Sequence, residues 1–381
     1  MATIYEAPFV FGVRVEGDTF TDRREETERL KMNFLYGINT ILISPRRMGK
    51  TSLVDKVCSL MVDDSIRIAR MDAFGCRSEQ DFINAFATAV LRSTSSKWEE
   101  WMENAKLFLS RFVPKISFGQ DPINDFSIAL ELNEKNHSTE DILQLPELIA
   151  REKGIRIVVC IDEFQQLGEF PDSLTFQKKL RSVWQLQNHV SYCLYGSKKH
   201  LMEQMFQNAS YPFYRFGDFF YLEKISEADW VAYITHRFKA TGKEIASELA
   251  TEICRVTERY SSYVQQLAWF VWLKTTHTAT MEDVQFAINR LLDANEPLFI
   301  QQTEDLSAYQ MNFLRAIVEG VHSGFTQTEV LNRYRLGTAA NVTRLKKSLT
   351  AKDLIMSYSP KKLVMSDPIL ALWLKRRVFH S

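Results

Sequence analysis

The sequence predicts an α/β chain, a parallel sheet with helices on both faces, followed by an all-helical region and a winged helix-turn-helix. Three observations carry this. Between residues 39 and 200, short β-rich segments alternate with longer amphipathic ones, the pattern of βαβ units. From about 226 to 303 the pattern is helical throughout. From 304 onward, helical segments precede two short strand-like runs and a terminal helix, the order of a winged helix. The expected domains are therefore 1–225, 226–303 and 304–381.

Each element follows from local signals. "TILIS" reads as a strand, a helix opens near Thr51, "IRIARMDA" is a second strand and Ser78 starts another helix. Residues 94–137 suggest a helix holding Trp98 and Trp101, then extended "KISFG" and "FSIAL". The run Ile157 to Ile161 in "IRIVVCID" reads as a fully buried strand, and "VSYCLYGS" as another. In the second region, Ser226 before Glu227-Ala228-Asp229-Trp230 marks a helix start, and "SSYVQQLAWFVWLKTT" reads as a buried helix with Trp269 and Trp272 in its core. The last region gives "AYQMNFLRAIVEG", "TQTEVLNRYR", a turn at Gly337, "TAANVTRLKKSLTAKDL", strands "LIMSYS" and "KLVMSD" joined by a wing at "SPKK", and "ILALWLKRR".

Composition excludes several classes. With 45% hydrophobic and 25% charged residues, the 381-residue chain has the balance of an ordinary globular protein. The greasiest runs, "IVVCI" and "LAWFVWL", fall well short of the roughly 18 residues that span a bilayer, so no membrane association is expected. "MATIYEAPFVFGVRVEGD" lacks the basic start and long apolar run of a signal peptide, and the expected location is cytoplasmic. Cys58, Cys76, Cys160, Cys193 and Cys254 are scattered and never spaced as CxxC, which predicts buried thiols rather than a disulfide framework or zinc site. The histidines show no metal spacing either. Net charge is zero, yet residues 308–381 hold 12 Lys and Arg against 4 Asp and Glu, a formal +8 that leaves −8 on the remainder.

The chemistry concentrates in "ILISPRRMGKTSLVDKV", residues 41–57. Its Gly49-Lys50-Thr51 is the ending of the phosphate-binding motif GxxxxGK[ST], with Ser44 where the first Gly should stand. GK[ST] alone is weak evidence, but here it follows a strand and opens a helix. That context turns the backbone of Ser44, Pro45, Arg46, Arg47, Met48, Gly49, Lys50, Thr51 and Ser52 into an anion cradle at a helix N-terminus. Lys50 can then reach β- and γ-phosphates, and the Thr51 hydroxyl can ligate Mg²⁺. Small Ser44 followed by Pro can still make the turn, because phosphate contacts come from the later N–H groups.

A nucleotide hydrolase also needs a strand that ends in a carboxylate. "IRIVVCIDEFQQL" supplies Asp162 as the second metal-site residue and Glu163 to orient or deprotonate an attacking water. "VSYCLYGSKKHLMEQMF" delivers Ser197 at a strand end, a candidate for sensing the γ-phosphate, with Lys198 second; a helix cap is its alternative role. Arg215 in "YPFYRFGDFFYL" could bridge nucleotide and helical domain.

"FTDRREETERL", "ISPRRMGKTSLV", "VVCIDEFQQL", "LYGSKKHLMEQMF", "YPFYRFGDFFYLEKI" and the terminal winged helix resemble, in this order, the prokaryotic P-loop ATPases of the STAND branch, the archaeal-type family related to AAA+ and origin-recognition ATPases. The resemblance implies ATP with Mg²⁺ as ligands and places Phe20, Asp22 and Arg23 beside the adenine, with the helical domain as a lid. It also implies a slow ATPase in which nucleotide state arranges core, lid and winged helix. An alternative is a nucleotide-dependent regulator that binds duplex DNA through the winged helix, whose third helix carries Asn341, Thr343, Arg344, Lys346 and Lys347. The basic segment could equally dock on a protein partner or on the acidic remainder of its own chain.

Overall fold

The β-rich runs of the first region form five parallel strands in the order β2-β3-β4-β1-β5. In the computed structural model, which describes residues 7–12, 21–61, 65–94, 139–359 and 362–380, they are β1 Thr40–Ile43, β2 Ile66–Asp72, β3 Arg156–Asp162, β4 Val190–Gly196 and β5 Asp218–Tyr221. α1 (Arg24–Tyr36) leads in and α2 (Lys50–Leu60) joins β1 to β2. α3 (Glu79–Ser93), α4 (Thr139–Leu143) and α5 (Leu145–Lys153) precede β3, α6 (Ser173–Trp184) precedes β4, and α7 (Lys199–Gln207) follows it. The expected helix at Trp98 and Trp101 and the extended runs after it lie outside the described residues.

Strand alternation sorts side chains onto two faces. Ile41, Ile43, Ile157, Val159 and Ile161 join Phe82, Phe86, Phe176 and Trp184 of α3 and α6 in one core. Leu42, Val158 and Cys160 are buried on the opposite face, where Cys58 of α2 meets Cys160. Cys76, Cys160, Cys193 and Cys254 are buried free thiols, while Cys58 is only half-buried. The sheet is therefore covered on both sides, which explains why β3 and β4 read as continuous apolar runs. β5, which has no counterpart among the expected strands, forms the edge opposite β2 and pairs with β1 from Thr40↔Asp218 to Ile43↔Tyr221.

Two compact units emerge: Arg23–Glu223, and Lys224–Ser381 together with Met1–Asp22. The second begins with α8 (Glu227–Ala240), capped by Ser226, whose Oγ accepts the Asp229 N–H at 3.1 Å. α9 (Ser247–Val256), α10 (Ser261–Lys274) and α11 (Met281–Thr303) follow. Trp269 and Trp272 stack at 5.2 Å but are half-buried rather than core, because Trp272 Nε1 turns outward to donate to Thr241 Oγ1 at 2.8 Å.

The winged helix comprises α12 (Ala308–Val318), α13 (Thr328–Arg333), α14 (Ala339–Ala351), the antiparallel pair β6 (Ile355–Ser359) and β7 (Lys362–Met365), and α15 (Pro368–Trp373). Residues 360–361, within the expected wing "SPKK", lie outside the described residues. Trp373 Nε1 donates to Glu296 Oε1 at 3.0 Å and Tyr263 Oη to Asp367 Oδ2 at 2.5 Å, so the winged helix is tied to α10 and α11 within its unit. Among the described residues no helix is long and apolar enough to cross a membrane.

Candidate nucleotide site

Parallel register brings three strand ends to one edge. Ile43 of β1 pairs with Gly196 of β4, and Ile161 of β3 with Leu194, so Ser44, Asp162-Glu163 and Ser197 all emerge at the carboxyl side. Open α/β sheets bind ligands there.

Ser44 fits the position of the missing Gly because its side chain turns inward. It is 1% exposed, its N–H donates to Gly196 O at 3.5 Å, and its Oγ donates to Pro45 O at 3.1 Å. Pro45 and the exposed Arg46 follow, then the half-buried Arg47 with φ +69° and the buried Met48. Gly49 caps α2 at φ +88°, a conformation that favours glycine, and an added Cβ there would face open space. Lys50, Thr51 and Ser52 form the first turn of α2, whose N–H groups and positive dipole end suit an anion. Lys50 is buried, with Nζ donating to Ser44 O at 3.2 Å.

The Thr51 hydroxyl donates to Asp162 Oδ2 at 2.8 Å, and Asp162 Oδ1 accepts the Glu163 N–H at 2.8 Å. Burial nevertheless pushes the Asp162 carboxyl up to about 6, with the Glu163 charge adding to the rise and the Thr51 hydrogen bond and Lys50 opposing it. A desolvated carboxylate short of positive charge, beside a hydroxyl, is a hard-oxygen corner that fits Mg²⁺. Among the described residues no group of three or more His, Cys, Asp or Glu could hold a metal. A cation here would take one carboxylate and one hydroxyl, completed by phosphate and water, as Mg²⁺ commonly does.

Glu163 adopts φ +49° as it caps the 3₁₀ turn Phe164–Glu169. Its Oε2 accepts from Ser197 Oγ at 2.9 Å and from the amide of Gln165. Lys198 points elsewhere, pairing with Glu169 at 2.8 Å.

The residues expected on the base side divide. Phe20 lies outside the described residues. Asp22 is exposed with φ +52°. Arg23 is only 4% exposed and donates to Glu26 at 2.8 Å, to Glu223 O and to Met48 O at 3.4 Å, thereby tying α1 to the phosphate loop. Arg215 requires correction. Because Asp218 pairs with Thr40 at the start of β1, Arg215 lies off the amino ends of the strands, opposite the loop. Its guanidinium rests over the Tyr214 ring at 5.3 Å, and it cannot bridge to a nucleotide at the carboxyl edge. Asn39 was missed: its Oδ1 accepts the Tyr192 N–H and its O accepts the Asp218 N–H, fastening β4 and β5 beside β1.

A family profile described as a probable winged helix domain matches residues 297–376. No curated protein matches. Among solved structures, a Walker-type ATPase of Pyrococcus abyssi is similar at TM-score 0.70 and 17% identity, covering 97% of this chain and 99% of that one. The ORC2 protein of Aeropyrum pernix, solved as ADPNP–ADP complexes, is similar at TM-score 0.59 and 15% identity, covering 97% and 96%. At such identities the likeness establishes the fold, a parallel sheet flanked by helices with a helical region and winged helix after it.

Proposed function

We propose that this chain is a cytoplasmic Mg-dependent ATPase of the STAND/AAA+-related class, a slow molecular switch whose nucleotide state controls the arrangement of a lid (226–303) and a winged helix (304–381) relative to an ATPase core (1–225). The observation that carries the reading is the 2.8 Å hydrogen bond from Thr51 to Asp162, which joins residues 111 positions apart into one corner. In this reading the first turn of α2 cradles the phosphates and Lys50 exchanges its contact with Ser44 O for β- and γ-phosphate oxygens. Thr51 and Asp162 would hold Mg²⁺, which would supply positive charge against the phosphates. Glu163 accepts a proton from the attacking water, Ser197 links that carboxylate to the end of β4, and Arg23 holds the loop from the base side.

A second reading, duplex DNA binding, is favoured by exposed Arg344 and Lys347 on α14. Asn341 and Lys346 serve it less well, since Asn341 Nδ2 donates to Leu336 O at 2.8 Å and Lys346 lies over the Phe325 ring.

Lys50→Ala should weaken ATP binding by about 1.5–3 kcal/mol, the scale of a hydrogen bond to a charged group. Glu163→Gln should retain ATP but hydrolyse it at least about tenfold more slowly. Calorimetry showing equal ATP affinity for the parent and Lys50→Ala would remove the assignment. The same rate assay with added duplex DNA separates a DNA-coupled enzyme from one directed at protein.

A further inference from the structure

Gln165 is a buried amide whose two ends are treated unequally. It is 2% exposed, its Nε2 donates to the Glu163 carboxylate, and its Oε1 has no hydrogen-bond partner among the described residues. Turning the amide over would set Oε1 against the carboxylate, oxygen to oxygen, so Glu163 dictates the orientation. The cost of an unpaired buried carbonyl is thus accepted at one end to keep a donor on Glu163 at the other.

Gly196 makes the arrangement possible. Its φ is not in the left-handed range, so backbone freedom is not the reason for glycine. Room is the reason: a Cβ at 196 would overlap Gln165 Oε1 and come within 3.0 Å of Met202 Sδ. Ser197, the next residue, donates to the same carboxylate oxygen, Oε2, at 2.9 Å. Two donors therefore converge on Oε2 and neither occupies Oε1.

We propose that Gln165, accommodated by Gly196, is a positioning residue that anchors Glu163 by Oε2 so that Oε1 addresses the attacking water. This rests on the ATPase reading above, and it gives Gln165 no direct contact with substrate. A packing role would make its loss independent of Glu163; a positioning role makes the two losses overlap.

The test is a double-mutant cycle in the full-length chain with Gln165→Leu, Glu163→Gln and the pair. Gln165→Leu should lower kcat about tenfold while the Kd for a non-hydrolysable ATP analogue stays within about twofold. In the Glu163→Gln background the same change should alter kcat by less than about twofold. Gln165→Met, closer in shape, replaces the Leu variant if that does not fold, and Gly196→Ala should reproduce the kcat loss by displacing the amide. Multiplicative losses in the pair, or a parent-like rate for Gln165→Leu, would overturn the positioning role while leaving the ATPase reading intact if Glu163→Gln alone is slow. A parent chain that hydrolyses no ATP would overturn both.

Discussion

Asp162 sets burial against charge. Its carboxyl sits at about 6, above the ordinary value of 3.8, chiefly because burial disfavours the anion. With the folded value above the unfolded one, the folded state prefers the proton. That stabilising contribution is complete below about pH 3.8 and is lost as pH rises through about 6. Asp162→Asn keeps the shape and an acceptor for Thr51 while removing the titration. Wild type should therefore lose about 2.5 kcal/mol relative to Asp162→Asn between pH 4 and 7. Urea unfolding across that range checks it, and a constant difference between the two proteins would show that burial does not hold the carboxyl up. On the proposed metal role of Asp162, magnesium binding should weaken below about pH 6, because the proton and the cation compete for one carboxylate. At this scale the gathering of Lys50, Thr51 and Asp162 at one sheet edge was legible, because it follows from residue type and spacing along strand and helix. The sequence was silent about Gln165, since a glutamine two residues past the DE pair looks like any polar residue until Gly196 on another strand gives it its place.

Among elements, the buried strands and the edge strand β2 were legible and the other edge strand, β5, was not. β3 and β4 are covered on both faces, so their composition had to be apolar throughout. β5 has four residues, Asp218–Tyr221, with aromatics at three consecutive positions and no alternation that periodicity could detect. Its place depends on tertiary contacts. Arg29 forms an ion pair with Asp218 that holds the Asp218 carboxyl below its usual range, and Asn39 O receives the Asp218 N–H at 2.7 Å. Gly217, just before the strand, is constrained by space: a Cβ there would overlap the backbone carbonyl of Asn39. Gly217→Ala should therefore destabilise the protein by about 1–3 kcal/mol, the range for overpacking, with a lowered denaturant midpoint. An unchanged midpoint would mean that the junction between β1 and β5 can yield without loss.

At the scale of the whole molecule, the chain leaves one unit, builds the other and returns. Nothing in "MATIYEAPFVFGVRVEGD" announces that residues 7–12 pack with the helical region 220 residues later, because such a contact has no local period. Phe9, 2% exposed, packs between Tyr233 at 6.1 Å and Phe238 at 5.7 Å. Arg237 is 9% exposed and donates from Nε to Pro8 O at 2.7 Å and from Nη2 to Ala7 O at 3.1 Å. A buried guanidinium thus depends on carbonyls supplied from the other end of the sequence. Deleting residues 1–12 would remove those carbonyls and uncover the Phe9 site, costing the second unit about 3–5 kcal/mol, the scale of losing a buried Phe side chain. Calorimetry of the full chain and the deletion, each with and without a non-hydrolysable Mg-ATP analogue, resolves the organisation. The deletion should lower only one transition, and the analogue should raise only the other, that of Arg23–Glu223, by mass action. A deletion that lowers the nucleotide-stabilised transition instead would place the N-terminal segment's contribution in the proposed nucleotide-binding core.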